Sequence, residues 1–261
     1  RICHAHTSKS QYSPIGRFAE AKKLLQKIYS GTTRFLINRA STERLACSEV
    51  AAEYFYKNKP AKLIYNGIDV DGYKDIKNIN RKRYLNSVAD FSNISKVLVS
   101  VGRLISVKNP LFAVEIIAEL AKLRNDFRYI WVGGGELEND AKNKAKQLNV
   151  SDKIVFTGVR TDVKEILACC DCFLMPSLFE GLPFSLVEAQ AAGLTCIVSD
   201  VVTKEANVGL TEYFPLESGA ASWAELINRT LDEPKRTADS GKLALFDISN
   251  TVRQLEEIYD K

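Results

Sequence analysis

Cys172-Phe-Leu-Met-Pro-Ser-Leu-Phe-Glu180-Gly-Leu-Pro-Phe-Ser-Leu-Val-Glu188 is the stretch that decides the fold. It opens as an apolar run that reads as a buried strand, turns at Gly-Leu-Pro, and takes up helical periodicity from Phe184. A helix that starts at such a turn leaves backbone N–H groups without intrahelical partners, and these can hold an anion, phosphate first. Glu180 sits in the loop before the helix and Glu188 on its second turn. Both carboxylates can therefore point into one crevice and accept hydrogen bonds from the vicinal hydroxyls of a sugar.

Outward from this stretch the same unit recurs. Apolar strand-like runs at 96–101, 127–132, 153–157, 172–175 and 195–199 alternate with helical patterns at 111–123, 139–148, 163–168 and 184–192. Strands that alternate with crossover helices predict an α/β fold with a parallel sheet covered on both faces. Such sheets bind ligands at the carboxyl ends of their strands. Asn109 before Pro110 and Asp162 read as helix N-caps, and Gly193 as the close of the helix that carries Glu188. Residues 62–69 read as a strand that ends in an Asn-Gly turn, and residues 74–95 as a polar surface connection with a short helix near 81–88.

Composition bounds the function. With 261 residues, 46% apolar and 26% charged, the chain reads as a soluble globular protein of one or two domains. It shows no apolar run of about 18 residues and no signal-peptide pattern, which gives a cytoplasmic reading. A formal charge of +4 is too small to imply nucleic acid. Six cysteines are scattered, and the Cys169-Cys-Asp-Cys172 cluster lacks a second ligand pair at zinc spacing, so they read as small buried thiols. The first 44 residues carry nine Lys/Arg against two acids. Within them, 15–29 places Phe18, Ala21, Leu25 and Ile28 on one helical face, with Lys22, Lys23 and Lys27 around the rest. Two readings stay open, a surface helix with solvated lysines and a helix that contacts anionic lipid. The first 60 residues offer one short strand at most and two or three helices, and they open on Arg rather than Met. The expectation is a fragment that lacks the front of an N-terminal domain, with a processed N-terminus as the rival.

Three further groups converge on the crevice. Gly102-Arg103 ends one strand, and Lys108 follows just before a helix, so Arg103 and Lys108 can straddle a diphosphate, one as a planar fork and the other as a point charge. Gly133-Gly134-Gly135 ends the next strand and lets backbone approach a base or a phosphate closely. Gly158-Val-Arg160 ends the third, where Arg160 borders either a base or a plain turn.

On these residues the chain resembles the retaining family 4 glycosyltransferases of GT-B fold. The resemblance covers essentially the whole chain, through Asn66-Gly-Ile-Asp69, Gly102-Arg-Leu with Lys108-Asn109, Gly133 to Gly135, Phe156-Thr-Gly158, Pro176-Ser177 and Glu180 to Gly193. It implies that Arg103 and Lys108 bind the donor diphosphate, that Glu188 binds the ribose hydroxyls, and that Glu180 with the backbone of Gly181, Leu182, Pro183 and Phe184 holds the donor sugar and phosphates. Gly134 and Arg160 join the donor site. Cys3-His-Ala-His-Thr7 looks like the last strand of the acceptor domain, with His6 as the catalytic histidine and His4 in reserve, since i and i+2 share a strand face. The implied organisation is a remnant of the acceptor domain at 1–60, a donor-binding Rossmann-like domain at 61–245, and a C-terminal helix at 246–261 that crosses back to the first.

The implied reaction moves a sugar from a nucleotide-diphosphate sugar, UDP-sugar first, to a glycan or lipid-linked acceptor with retention of configuration, in polysaccharide or glycolipid synthesis. No metal and no cofactor are expected, and contact with the cytoplasmic face of a membrane follows by analogy. Asp69-Val-Asp71 matches an Asp-x-Asp metal motif only superficially, because it follows an Asn-Gly turn. Two alternatives remain: a GT-B-fold nucleotide-sugar epimerase, and a nucleotide-sugar-binding fragment without activity. A glycoside hydrolase also uses paired carboxylates, but the basic groups beside these argue against it.

Overall fold

The computed structural model describes residues 1–6, 19–57, 59–76, 79–234 and 236–260, with the helix side chains at 19–23, 26, 74 and 75 outside the description. It divides into two compact units, Arg1–Gly67 with Ser249–Lys261, and Ile68–Ile248.

The first unit is built on a three-stranded parallel sheet of order β1-β2-β3, with β1 at Ile2–Ala5, β2 at Glu43–Ala46 and β3 at Lys62–Leu63. Helix α1, Ala19–Ala40, connects β1 to β2, and α2, Glu49–Tyr56, connects β2 to β3. The Ser48 hydroxyl caps α2 by accepting from the Ala51 N–H. Buried Tyr56 ends α2 with its hydroxyl 2.8 Å from the Cys3 carbonyl and 2.9 Å from the Leu45 carbonyl, which ties the helix to both strands. The sequence expectation of at most one short strand before residue 60 is therefore corrected by β2. Its four residues, Glu-Arg-Leu-Ala, are too few for alternation to show. Helix α1 runs well past the predicted 15–29; of its expected apolar face, Phe18 lies outside the described residues, as do the side chains of Ala21, Lys22 and Lys23. Thr7 lies outside as well.

The second unit holds a six-stranded parallel sheet. After the short helices α3, Asp71–Asp75, and α4, Arg81–Val88, come β4 (Lys96–Val101), α5 (Pro110–Leu123), β5 (Phe127–Val132), α6 (Glu138–Gln147), β6 (Ile154–Gly158), α7 (Val163–Ala168), β7 (Cys172–Met175), α8 (Phe184–Ala191), β8 (Thr195–Ser199), β9 (Thr211–Phe214), α9 (Gly219–Asp232) and α10 (Ser240–Ala244). Helix α11, Ile248–Tyr259, closes the chain, and within the first unit its Thr251 hydroxyl donates to the Tyr65 carbonyl at 2.9 Å.

The strand order is β6-β5-β4-β7-β8-β9. Successive strands add outward from β4 on one side, and then the chain returns to β4's other edge to lay down β7. The order reverses between β4 and β7, and a crevice opens at the carboxyl ends of strands at such a reversal. Central β4 is buried on both faces, with Val97, Leu98 and Val99 fully inaccessible. On one face α5 packs against α9, where fully buried Trp223 meets Phe112 and Phe214 edge to face and donates its Nε1–H to the Pro215 carbonyl at 2.9 Å.

Asn109 and Asp162 stand at the predicted N-cap positions of α5 and α7, but neither side chain bonds its helix. Asn109 precedes α5 in the left-handed region at φ 55° and makes no side-chain cap, because the chain reverses there out of the turn at Ser106–Lys108. Asp162 precedes α7 but turns its carboxylate to Arg160 and Tyr84 instead. Gly193, at φ 83°, does close α8. The predicted surface connection at 74–95 proves to be a tie. Arg81 of α4 holds Asp171 through both carboxylate oxygens, Asp171 accepts the Val97 N–H at 2.8 Å, and Leu85 and Phe91 are buried.

Candidate functional site at the sheet reversal

The loops after β4, β5 and β6 are joined backbone to backbone. The Gly102 N–H donates to the Val132 carbonyl, Leu104 to Gly134, Leu137 to Leu104, and Gly133 to Gly158. The Trp131 Nε1–H adds a bond to the Gly102 carbonyl at 2.9 Å. This closeness explains the glycine run. Gly133 sits at φ 131°, and a Cβ there would stand 2.2 Å from the Gly102 oxygen. Gly134 spends its carbonyl on this latch, and Gly135 abuts the backbone of Leu104.

Across the reversal, Lys108 reaches from the turn after β4 over Gly102 to Glu180 in the loop after β7, with Nζ 2.7 Å from Oε1. Both side chains are largely sheltered, at 20% and 11% exposure. The same two loops are joined by the Leu178 N–H and the Val107 carbonyl at 2.8 Å. Beneath them Ser100 donates to the Leu174 carbonyl, and Ser199 to the Ser177 carbonyl, so the strand ends are pinned by side chains. Arg103 projects from the same loop as Lys108, exposed and without a carboxylate partner among the described residues.

Helix α8 begins at Phe184 behind the Gly181-Leu182-Pro183 turn, and no side chain caps it. Its first N–H groups and its dipole therefore face the crevice end of β7. Glu188 lies on the second turn of α8, half-buried, and this burial raises its carboxyl above the ordinary range, against the pull of Tyr73 and Lys164. Tyr73 of α3 is 4% exposed. Its hydroxyl faces Glu188 but is buried without the geometry of a hydrogen bond to any group. Lys164 of α7 lies 5.4 Å from the Tyr73 ring centre and is ion-paired to Asp69, whose other oxygen accepts the Gly72 N–H at 3.0 Å. The first aspartate of Asp69-Val-Asp71 is thus engaged with a lysine and a backbone amide.

Arg160 projects from the loop after β6 and is bound to Asp162 through two nitrogens, at 2.8 and 2.6 Å, with Tyr84 on the same carboxylate at 2.5 Å. Neighbouring Val159 is 85% exposed. In the first unit, His4 belongs to β1 and His6 follows it, with ring centres 4.2 Å apart on one side of the chain, as i and i+2 require. Burial and neighbouring His6 lower the His4 imidazole, whose Nε2 is buried without a partner. A groove of about 450 Å³ beside α1 and α2 is lined by Arg34, Asn38 and Phe55, with none of the predicted site residues on its wall. The clustered thiols Cys169, Cys170 and Cys172 are buried, and burial raises all three.

The structure brings Lys108, Glu180, Gly134 and the start of α8 together at one end of the sheet. Tyr73 and Lys164 were missed by sequence reasoning. The only signal for them is an aromatic four residues after Asp69, whose partner on α8 is more than a hundred residues away.

The family described as glycosyl transferases group 1 matches residues 88–244. Among curated relatives, the capsular polysaccharide biosynthesis glycosyltransferase CapH of Staphylococcus aureus is 29% identical over 273 residues, covering 99% of this chain and 69% of CapH. The UDP-Gal:α-D-GlcNAc-diphosphoundecaprenol α-1,3-galactosyltransferase of Escherichia coli is 35% identical over 170 residues, covering 61% of this chain and 43% of that enzyme. Among solved structures, Anabaena HepE in complex with UDP aligns at a TM-score of 0.76 and 20% identity, over 99% of this chain and 71% of HepE. WaaG, a glycosyltransferase involved in lipopolysaccharide biosynthesis, aligns at 0.64 and 20%, over 97% of this chain and 70% of that one. These likenesses show the GT-B α/β architecture.

Proposed function

The chain belongs to the group 1 glycosyl transferases, and on that premise we propose that it transfers a sugar from a nucleotide-diphosphate donor, UDP-sugar first, to a glycan or lipid-linked acceptor in polysaccharide or glycolipid synthesis, with retention of configuration. The observation that carries this reading is the Lys108–Glu180 bridge across the β4/β7 reversal, beside the uncapped start of α8 and exposed Arg103. Cations and a helix N-terminus at one spot suit a leaving group that gathers two negative charges.

In this account the diphosphate lies over the backbone of Gly181, Leu182, Pro183 and Phe184, with Arg103 and Lys108 on its flanks. Glu180, released from Lys108 as the phosphates take its place, turns to the hydroxyls of the donor sugar. Glu188 accepts from the ribose hydroxyls, and Gly134 with Arg160 borders the base. As the glycosidic bond to the nucleotide breaks, charge grows on the departing phosphate oxygen, and Arg103, Lys108 and the α8 dipole lower its energy. No metal ion is needed in this scheme, since side chains supply the positive charge. His6 is assigned to the reacting sugar on the acceptor side, with the family resemblance as its support. A lipid-linked acceptor follows the E. coli relative's substrate, and with it a cytoplasmic site at the membrane face. Among the described residues no helix is long and apolar enough to cross a membrane, while α1 exposes Leu24, Leu25, Ile28 and Tyr29.

The test is transfer from UDP-sugars to a diphosphoundecaprenol-linked sugar in the presence of EDTA, with the anomeric configuration of the product read by NMR. Release of UDP coupled to acceptor glycosylation with retention is the expected result. Inversion, or nucleotide release with no acceptor needed, would overturn the reading, and the second outcome would favour the epimerase.

A further inference from the structure

Tyr73 presents a problem that its surroundings do not solve. Its hydroxyl is buried and makes no hydrogen bond of ordinary geometry, and a buried hydroxyl left so poorly satisfied is a standing cost that phenylalanine in the same place would not incur. Nor is the ring free to swing the hydroxyl elsewhere. It is 4% exposed, and the Lys164 ammonium, itself anchored by Asp69, lies over its face. Asp69 is fixed in turn by the Gly72 N–H, one residue before the tyrosine. A chain of contacts thus holds one hydroxyl beside one carboxylate, Glu188, near enough to lower that carboxyl but outside ordinary hydrogen-bond geometry.

From this arrangement we infer that Tyr73 is a positioning residue for nucleotide recognition, its hydroxyl donating to Glu188 once that carboxylate turns to take the ribose diol. The inference rests on the reading of Glu188 as the ribose ligand. A carboxylate that accepts both ribose hydroxyls has lone pairs left over, and a donor held behind it fixes which way the two oxygens face. Tyr73 is the hydroxyl that can do so from α3. The other charged groups around the pair are Lys164 and Glu165 of α7 and Asp69. Lys164 is occupied by Asp69, and the two acids cannot donate when ionised. The phenol keeps its proton, because burial and the surrounding carboxylates push it well above its ordinary value. The free chain therefore carries an unsatisfied donor that ligand binding satisfies, which places part of the ribose selectivity outside the residues that touch the nucleotide.

The experiment is calorimetric titration of the full chain with UDP and with 2′-deoxy-UDP, for the parent, Tyr73→Phe and Glu188→Ala, together with thermal unfolding of each without nucleotide. The parent should prefer UDP. Tyr73→Phe should lose about three- to tenfold in UDP affinity, the range for one net hydrogen bond, with little change toward 2′-deoxy-UDP, so that its preference shrinks. Its unfolding temperature without nucleotide should equal or exceed the parent's, since it discards an unsatisfied group. A lower unfolding temperature with an unchanged UDP preference would make the hydroxyl structural and overturn the inference. If Glu188→Ala loses the preference while Tyr73→Phe keeps it, the ribose reading stands and the role of Tyr73 falls. If the parent has no preference, the ribose reading falls and takes this inference with it.

Discussion

The Lys108 ammonium stands 2.7 Å from the Glu180 carboxylate, so in the free chain the two groups that flank the sheet reversal neutralise one another. On the proposed reading, a donor diphosphate competes with Glu180 for that ammonium. Lys108→Met should weaken UDP binding by about 1.5–3 kcal/mol, the range for a hydrogen bond to a charged group. Glu180→Gln, which releases the lysine, should leave UDP affinity equal or higher while transfer falls. Calorimetry and a transfer assay on both variants check the opposite signs; equal losses of UDP affinity in both would contradict the competition.

On the proposed reading, Glu188 links nucleotide binding to stability and pH. Burial raises its carboxyl, and Tyr73 and Lys164 oppose that only in part. Between the ordinary carboxyl value and the raised one, the folded chain binds more protons than the unfolded chain, so this group's contribution to stability is lost as pH rises. Glu188→Gln should therefore gain stability relative to the parent on going from pH 4.5 to pH 7.5, measured by urea unfolding at each. The part of the UDP affinity that needs an ionised Glu188 should rise over the same interval, and the difference between the pH profiles of the parent and the glutamine variant separates it from the second ionisation of the UDP terminal phosphate at about pH 6.

The Arg81–Asp171 pair is a structural control. Asp171 also takes the Val97 N–H, and its side chain is only 10% exposed, so removing the arginine takes a two-point cation from a sheltered carboxylate at the start of the central strand. Arg81→Ala should lower stability by about 1–3 kcal/mol while leaving UDP affinity within a factor of about two. Denaturant titration and calorimetry separate the two quantities.

Gly133→Ala sets a methyl group against the Gly102 carbonyl in a backbone conformation that L-residues rarely adopt. Strain of this kind costs about 1–3 kcal/mol, and it falls on the latch between the β4 and β5 loops. The variant should lose nucleotide affinity out of proportion to its stability, with Gly134→Ala milder, since a Cβ there meets nothing closer than 3.8 Å. UDP titration of the two variants provides the comparison.

How far the sequence could be read depended on where each residue's partner lies. Strands β4, β5, β7 and β8 and their crossover helices stand out because their apolar residues are buried on both faces, as in Val97, Leu98 and Val99, whereas edge strand β6 is only partly buried and is carried by its apolar Ile154, Val155 and Phe156. Helix α9 carries a comparable signal in Trp223, Ala224, Leu226, Ile227, Thr230 and Leu231, one apolar face at helical spacing, yet it lies beyond the last strand the alternation picks out. Strand β2 is too short to show a period. Asn109 and Asp162 have the residue types of caps but not the geometry, since the left-handed turn at one and the Arg160 partner at the other are tertiary facts. The candidate site followed the same rule. Lys108 and Glu180 were legible as charges flanking turns, whereas Tyr73 and Glu188 meet only in the fold, more than a hundred residues apart in the chain.

The measurement closest to the central claim is calorimetric titration of this chain with UDP, GDP and UDP-sugars in the absence of metal, with Glu188→Ala and Lys108→Met alongside. The account predicts saturable, UDP-selective binding weakened in both variants. It also predicts about 2.7 kcal/mol of added stability at a hundredfold excess over the dissociation constant. UDP binding that both variants leave intact would contradict a donor site at the β4/β7 reversal, and so would a parent chain that binds no nucleotide.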